Sequence, residues 1–258
     1  LSDCAPEDVA WKLVGVNLSD LAAKGAEPIG VLLGFMLSDT IFDMRFAGAL
    51  GEALSHYETA LLGGDTVSAP SDSQVPRAFG LTAIGRATHV PVPARSGARP
   101  GDTLWVTGNI GLAMLGHLGE TGAAPSDEAA RARYLRPVPR LSEGLSLAPI
   151  VTAMMDISDG LLLDAKRMAQ ASGVTIALDS AAVPLPDAIR NDADLRGQAL
   201  VWGDDYELLF TLPNGTEPPA TARRIGTMSE RGAHPLLIDG TPPGPEQRLG
   251  WEHGADIG

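Results

Sequence analysis

The chain has 258 residues, 44% of them hydrophobic and 20% charged, which is a folded protein of one large or two ordinary domains. Its formal net charge of −13 argues against nucleic acid as a partner, because phosphate backbones need a basic face. No apolar run reaches the length of a membrane span, no secretory signal opens the sequence, and the lone Cys4 makes neither an internal disulfide nor a thiolate metal site, so no membrane partner and a cytoplasmic location are expected.

Pro6 to Lys24 predicts a helix: Glu7 and Asp8 supply an acidic first turn, Val9, Leu13, Val16 and Leu21 fall near one face, and Gly25 ends it. Ile29 to Leu37 predicts a buried strand, and Thr40 to Tyr57 a helix with Phe42, Phe46, Leu50 and Leu54 at helical spacing. Ala60 to Leu62 predicts a strand running into a Gly63-Gly64-Asp65-Thr66 corner, and Arg77 to Ala87 another strand. The Pro- and Gly-rich stretch from Val90 to Gly101 marks a boundary, which divides the chain into 1–93 and 94–258.

Beyond it, a strand over Thr103 to Thr107 feeds Gly108-Asn109-Ile110-Gly111 and a helix. Ser126 to Leu135, Arg140 to Leu147 and Asp159 to Ala171 predict helices, the last closed by Gly173. Val174 to Leu178, Gln198 to Trp202 and Tyr206 to Leu212 predict strands, followed by a loosely ordered tail from Asp239 to Gly258. The fold class is α/β or α+β in two halves.

Four segments carry the chemistry. Asn17-Leu18-Ser19-Asp20, Gly63-Gly64-Asp65-Thr66, Asp156-Ile157-Ser158-Asp159-Gly160 and Gly203-Asp204-Asp205-Tyr206-Glu207 set carboxylates beside small or polar residues at the edges of apolar runs. Carboxylates converging without His or Cys suit a hard cation such as Mg²⁺, which in turn holds phosphate. Each segment also has a plainer reading. The glycine pair is a turn with a capping Asp, Asn17 to Asp20 a solvated stripe or kink, Asp159 an N-cap, and Asp204 to Glu207 a charged strand start. The three acids of that last segment repel unless cations or donors neutralise them. Gly108 to Gly111 is a tight turn or an anion site, and Arg86 a surface residue or a polyphosphate cation. No P-loop and no dinucleotide fingerprint occurs.

Taken together, these segments resemble the thiamine-monophosphate kinase family. Asn17-Leu18-Ser19-Asp20-Leu21-Ala22-Ala23-Lys24-Gly25-Ala26-Glu27-Pro28 is similar to that family's first helix, and the other three segments match its remaining signatures in order. The resemblance implies an aminoimidazole ribonucleotide synthetase-like fold in two domains, each a mixed sheet packed with helices. It implies transfer of the γ-phosphoryl group of ATP, with several Mg²⁺ ions, onto thiamine monophosphate, in a homodimer. By carry-over, Asp20, Asp65, Asp156 and Asp159 hold the metals, with Asp156, Asp159 and Arg86 catalytic. Gly64, Asp65, Arg86 and Ser158 contact the nucleotide, and Asp204 and Trp251 face the thiamine end. Asp204 stands where the family carries Glu, and the chain starts almost at the first helix, where the family has a leading segment. Another ATP-dependent synthetase of the superfamily, or a nucleotide-binding remnant without catalysis, are the alternatives.

Overall fold

The computed structural model describes residues 4–37, 39–68 and 77–252. In its first half, helix α1 (Pro6–Ala22) leads into strand β1 (Ala26–Leu37), helix α2 (Thr40–His56), strand β2 (Ala60–Ser68) and strand β3 (Phe79–Ala87). The strands form one sheet in the order β2-β1-β3, with β1 parallel to β2 and antiparallel to β3. Asp39 caps α2 by accepting from Phe42 N. Phe46 of α2 lies between Phe35 and Phe79, with ring centroids 4.9 and 4.7 Å away. That aromatic group, with Val14, Leu18, Val31 and Leu50, makes the core under the helices. The opposite sheet face is bare: Leu32, Val67 and Ile84 are all exposed.

The second half comprises β4 (Thr103–Thr107), α3 (Leu112–Glu120), α4 (Glu128–Leu135), α5 (Leu141–Leu147), β5 (Ala153–Asp156), α6 (Leu161–Ser172), β6 (Val174–Leu178), α7 (Asp187–Arg190), α8 (Ala193–Val201), β7 (Leu208–Leu212), β8 (Ala222–Glu230) and β9 (Leu236–Ile238). Six strands pair in the order β5-β7-β4-β8-β6-β9, antiparallel except β6 with β9. Every residue of β4 and β7 is buried, as central strands require. A core of Met114, Ile157, Leu161, Met168, Ile176 and Ile225 lies on one side of the sheet. A smaller cluster of Ala22, Ala23, Trp105, Leu147 and Phe210 joins the end of α1 to the sheet.

Three expectations change. The Gly63-Gly64-Asp65-Thr66 corner is not a turn, since β2 runs straight through it, paired with Leu32 to Phe35 of β1. Gly64 has φ 151°, and a Cβ there would lie 1.9 Å from the Leu33 carbonyl oxygen, so the glycine serves strand-to-strand approach. Gln198 to Trp202 is not a strand but the end of α8, which Asp192 caps by accepting from Asp194 N and Leu195 N. Asp159 does not open α6. Gly160 is its N-cap, and the carboxylate of Asp164 turns back to accept from Ser158 N and Asp159 N. Strand β9 ends at Ile238, just before the tail expected from Asp239, and residues 253–258 lie outside the described residues.

Candidate active site

Helix α1 brings Ser19 and Asp20 to the end of β5. Ser19 is fully buried, and its hydroxyl donates to Asp156 Oδ2 at 2.7 Å. This accounts for a serine and an acid among apolar neighbours in a helix. Burial pushes the Asp156 carboxyl up to about 6; the Ser19 hydrogen bond opposes the shift, while the nearby Asp20 and Asp164 charges add to it. Partial burial also raises Asp20, against the pull of Lys24 and Arg95. Negative charge is thus concentrated at Asp20 and Asp156, and among the described residues no cation is bonded to either.

Two loops are braided beside this pair. Asp204 N donates to Ser158 O at 2.9 Å, Tyr206 N to Ile157 O at 2.8 Å, and Ile157 N to Glu207 O at 2.9 Å. A Cβ on Gly203 would come 2.4 Å from Ser158 O, so only glycine lets the loops lie this close. Trp251 N donates to Asp159 O at 2.8 Å, which brings the chain end to the same place. Asp204 and Tyr206 have φ of 67° and 51°, a left-handed backbone that costs non-glycine residues about 1 kcal/mol or more each. A cavity of about 670 Å³ opens here, lined by Ser158, Asp159, Asp204, Tyr206, Arg248 and Trp251 among others.

Each acid of the Gly203–Glu207 loop has its own neutraliser, as their mutual repulsion demands. Lys12 Nζ sits 2.8 Å from Asp204 Oδ2 and 4.3 Å from the centre of the Tyr134 ring. The Tyr206 hydroxyl donates to Asp204 Oδ1 at 3.1 Å; burial and the Asp204 charge push its phenol far up, so it stays a donor. Asp205 accepts from Gly111 N at 3.0 Å, and full burial raises its carboxyl well above the ordinary range. Glu207 takes two bonds from Arg140 and one from Thr107.

The structure therefore gathers Asp156 with Asp20, and Ser158, Asp159, Asp204 and Trp251 around the adjoining cavity. It does not bring Asp65, Gly64 or Arg86 to them. Asp65 lies on the exposed edge strand β2, accepting from Thr66 N, and Arg86 is exposed and paired with Glu27 at 2.7 Å. Asp159 is ion-paired with Arg167, which also holds Asp164 at 3.0 Å. Among the described residues no group of three or more His, Cys, Asp or Glu side chains is arranged to hold a metal ion. The single carboxylate set expected from the sequence is therefore split, because its members stand on separate elements. Two carboxylates nonetheless suit Mg²⁺, which keeps several waters and takes further oxygens from substrate phosphates. Lys12, Tyr206 and Arg167 were missed. The available signal for Lys12 was its spacing of seven from Ser19, two helical turns along one face of α1.

The AIR synthase related protein, N-terminal domain, matches residues 2–87, and the AIR synthase related protein, C-terminal domain, matches residues 99–232. A thiamine-monophosphate kinase of Salmonella typhimurium is 39% identical over 224 residues, covering 83% of this chain and 67% of that protein. The crystal structure of the thiamine monophosphate kinase from Aquifex aeolicus superposes with TM-score 0.83 at 28% identity, covering 95% of this chain and 84% of that one. AaThiL complexed with AMPPCP and TMP superposes with TM-score 0.82 at 29% identity, covering 98% and 82%.

Proposed function

The chain belongs to the thiamine-monophosphate kinase family, and from that premise we propose that it transfers the γ-phosphoryl group of ATP to the phosphate of thiamine monophosphate, yielding thiamine diphosphate and ADP. The observation that carries this reading is the cavity in which Asp204, Tyr206 and Trp251 stand beside Ser158 and Asp159, with Asp156 and Asp20 adjoining. In this reading residues 1–93 form the nucleotide, metal and dimerisation half, and 94–258 complete the site.

The acceptor is already a phosphate oxyanion, so no general base is needed and the absence of a histidine among the described residues that line the cavity is no obstacle. The difficulty is repulsion between two anions. Mg²⁺, when bound, supplies the positive charge that offsets it. Asp20 and Asp156 would hold the cation, with Asp159 reaching it once Arg167 shifts toward phosphate. Ser158 offers a short backbone approach to the nucleotide. Asp204, fixed by Lys12 and Tyr206, would orient the thiamine end, and Trp251 with its indole faces the cationic ring. Positioning and electrostatics suffice for a transfer of this kind.

Asp65, Gly64 and Arg86 enter the same reading through a second copy. Asp65 stands opposite Gly34 on the bare sheet face, between the Leu32–Gly63 and Met36–Val67 pairs. Exposed Leu32, Val67 and Ile84 give that face the apolar character of a homodimer interface. A cytoplasmic location completes the reading; no helix among the described residues is long and apolar enough to cross a membrane.

The test is thiamine diphosphate formation by the purified protein given ATP, Mg²⁺ and thiamine monophosphate. Product is expected only with all three present, and thermal protection by thiamine monophosphate is expected only with nucleotide and Mg²⁺. ATP and Mg²⁺ binding without turnover would leave a non-catalytic remnant instead. Lys12→Met is expected to raise the KM for thiamine monophosphate about tenfold, the worth of one charge-assisted hydrogen bond, with a smaller change in kcat. An unchanged KM would remove Asp204 from substrate orientation.

A further inference from the structure

A second cavity, of about 710 Å³, opens beside the Gly108–Gly111 turn and shares no lining residue with the one above. Its walls come from β4, β8 and the segment that leads into α7, and they include Trp105, Asn109, Pro184, Arg190, Arg223 and Arg224. The pairing of β8 with β4 is irregular here. Leu104 faces Gly226 but Trp105 faces Arg224, so Ile225 is an extra residue. Such a bulge re-aims side chains, and it lets the consecutive Arg223 and Arg224 line one space.

Three arginines gather at this space. Arg45, Arg86, Arg131, Arg136, Arg140 and Arg167 each pair with a carboxylate. Among the described residues the Arg223 and Arg224 side chains have no hydrogen-bond or ion-pair partner, although the chain carries a net charge of −13. Arg190 donates to Leu185 O at 3.1 Å and pairs with Asp187, whose side chain is 91% exposed, so that pair is weak and leaves much of the guanidinium charge available. The exposed Asn109 amide adds a neutral donor, also without a partner among the described residues. Val183, Pro184 and Ala222 give the rest of the wall an apolar surface.

We propose that this cavity binds a diphosphate-bearing small molecule, its phosphates held by Arg223, Arg224 and Arg190 and its organic part against the Val183–Pro184 wall. Guanidinium forks match phosphate oxygens two at a time, and two or three of them balance the charge of a diphosphate without a metal. The volume accommodates a nucleoside diphosphate or a thiamine diphosphate. The site does not depend on the kinase reading, because none of its residues belongs to that cavity.

The experiment is calorimetric titration of the full chain with inorganic diphosphate in EDTA. Without divalent cations the Asp20–Asp156 region repels an anion, so the titration reads the arginine cavity alone. One equivalent is expected to bind, with an affinity that falls as salt rises. The double variant Arg223→Gln/Arg224→Gln is expected to weaken binding at least tenfold with an unchanged melting temperature, since both side chains are exposed. Arg223→Gln alone should give an intermediate loss. ADP and thiamine diphosphate titrated in parallel distinguish the two organic parts, and equal affinity for all three ligands would leave diphosphate as the whole recognised group. No binding by the unaltered chain, or equal binding by the double variant, overturns the proposal.

Discussion

Asp156→Asn is expected to abolish phosphoryl transfer and, at the same time, to make the metal-free chain more stable. The loss of rate should be on the order of 10³-fold or more, because the variant removes a charged oxygen from the proposed cation site. The gain in stability follows from burial. The folded-state value of about 6 lies above the ordinary 3.8, so the ionised form is disfavoured in the fold. The stabilising contribution of the protonated carboxyl is fully present below about pH 4 and is lost as pH rises through about 6. At pH 7.5 the charge therefore costs about 2–3 kcal/mol, which an amide avoids while still accepting from Ser19. Thermal melts in EDTA should show a rise of several degrees at pH 7.5 and no difference near pH 4. A near-normal rate would remove Asp156 from the metal site. An unchanged or lower melting temperature at pH 7.5 would mean that its charge is not a burden to the fold.

Arg140→Met should produce the largest loss of stability. Glu207 has 3% of its side chain exposed and Arg140 has 17%. Arg140 donates through Nε at 2.6 Å and Nη2 at 2.5 Å to the two carboxylate oxygens, and Thr107 adds a hydroxyl at 2.6 Å. Removing the guanidinium leaves a buried carboxylate with one neutral donor, at a cost of about 3–5 kcal/mol. Denaturant unfolding should show this as a lower midpoint. Adding Glu207→Met to the variant should recover much of the loss, because no uncompensated charge remains. A single variant within about 1 kcal/mol of the parent, or a double variant no better than the single, would show that this pair is solvated rather than buried.

The elements that were legible before the structure are those written in adjacent residues. The helix from Pro6 announces itself by an acidic first turn, a helical apolar spacing and Gly25. The strand over Thr103–Thr107 is short, apolar and bounded by Gly101 and Gly108. Gln198 to Trp202 misled because the short apolar run Ala199 to Trp202 suits a buried strand and a buried helix alike, and the deciding cap, Asp192, lies six residues upstream of Gln198. Gly63-Gly64 misled because paired glycines usually signal a turn, whereas here the close approach of Leu33 on another strand demands Gly64. Strand β8 carries too many polar and exposed positions to stand out, and β9 is only three residues long.

The proposed cation chemistry rests on residue types alone, since oxygen donors without His or Cys suit a hard cation, whereas three acids in four positions did announce that neutralisers must exist. Which groups neutralise them could not be read, because a pairing is a distance. Ser19 meets Asp156 across 137 positions, and Lys12 meets Asp204 across 192. Residue types along the chain limit what a site can bind. Folding chooses which carboxylates are desolvated together, which are paired with arginine, and which, like Asp65, are left on an open face, since burial and Coulomb energy depend on through-space neighbours rather than on sequence order.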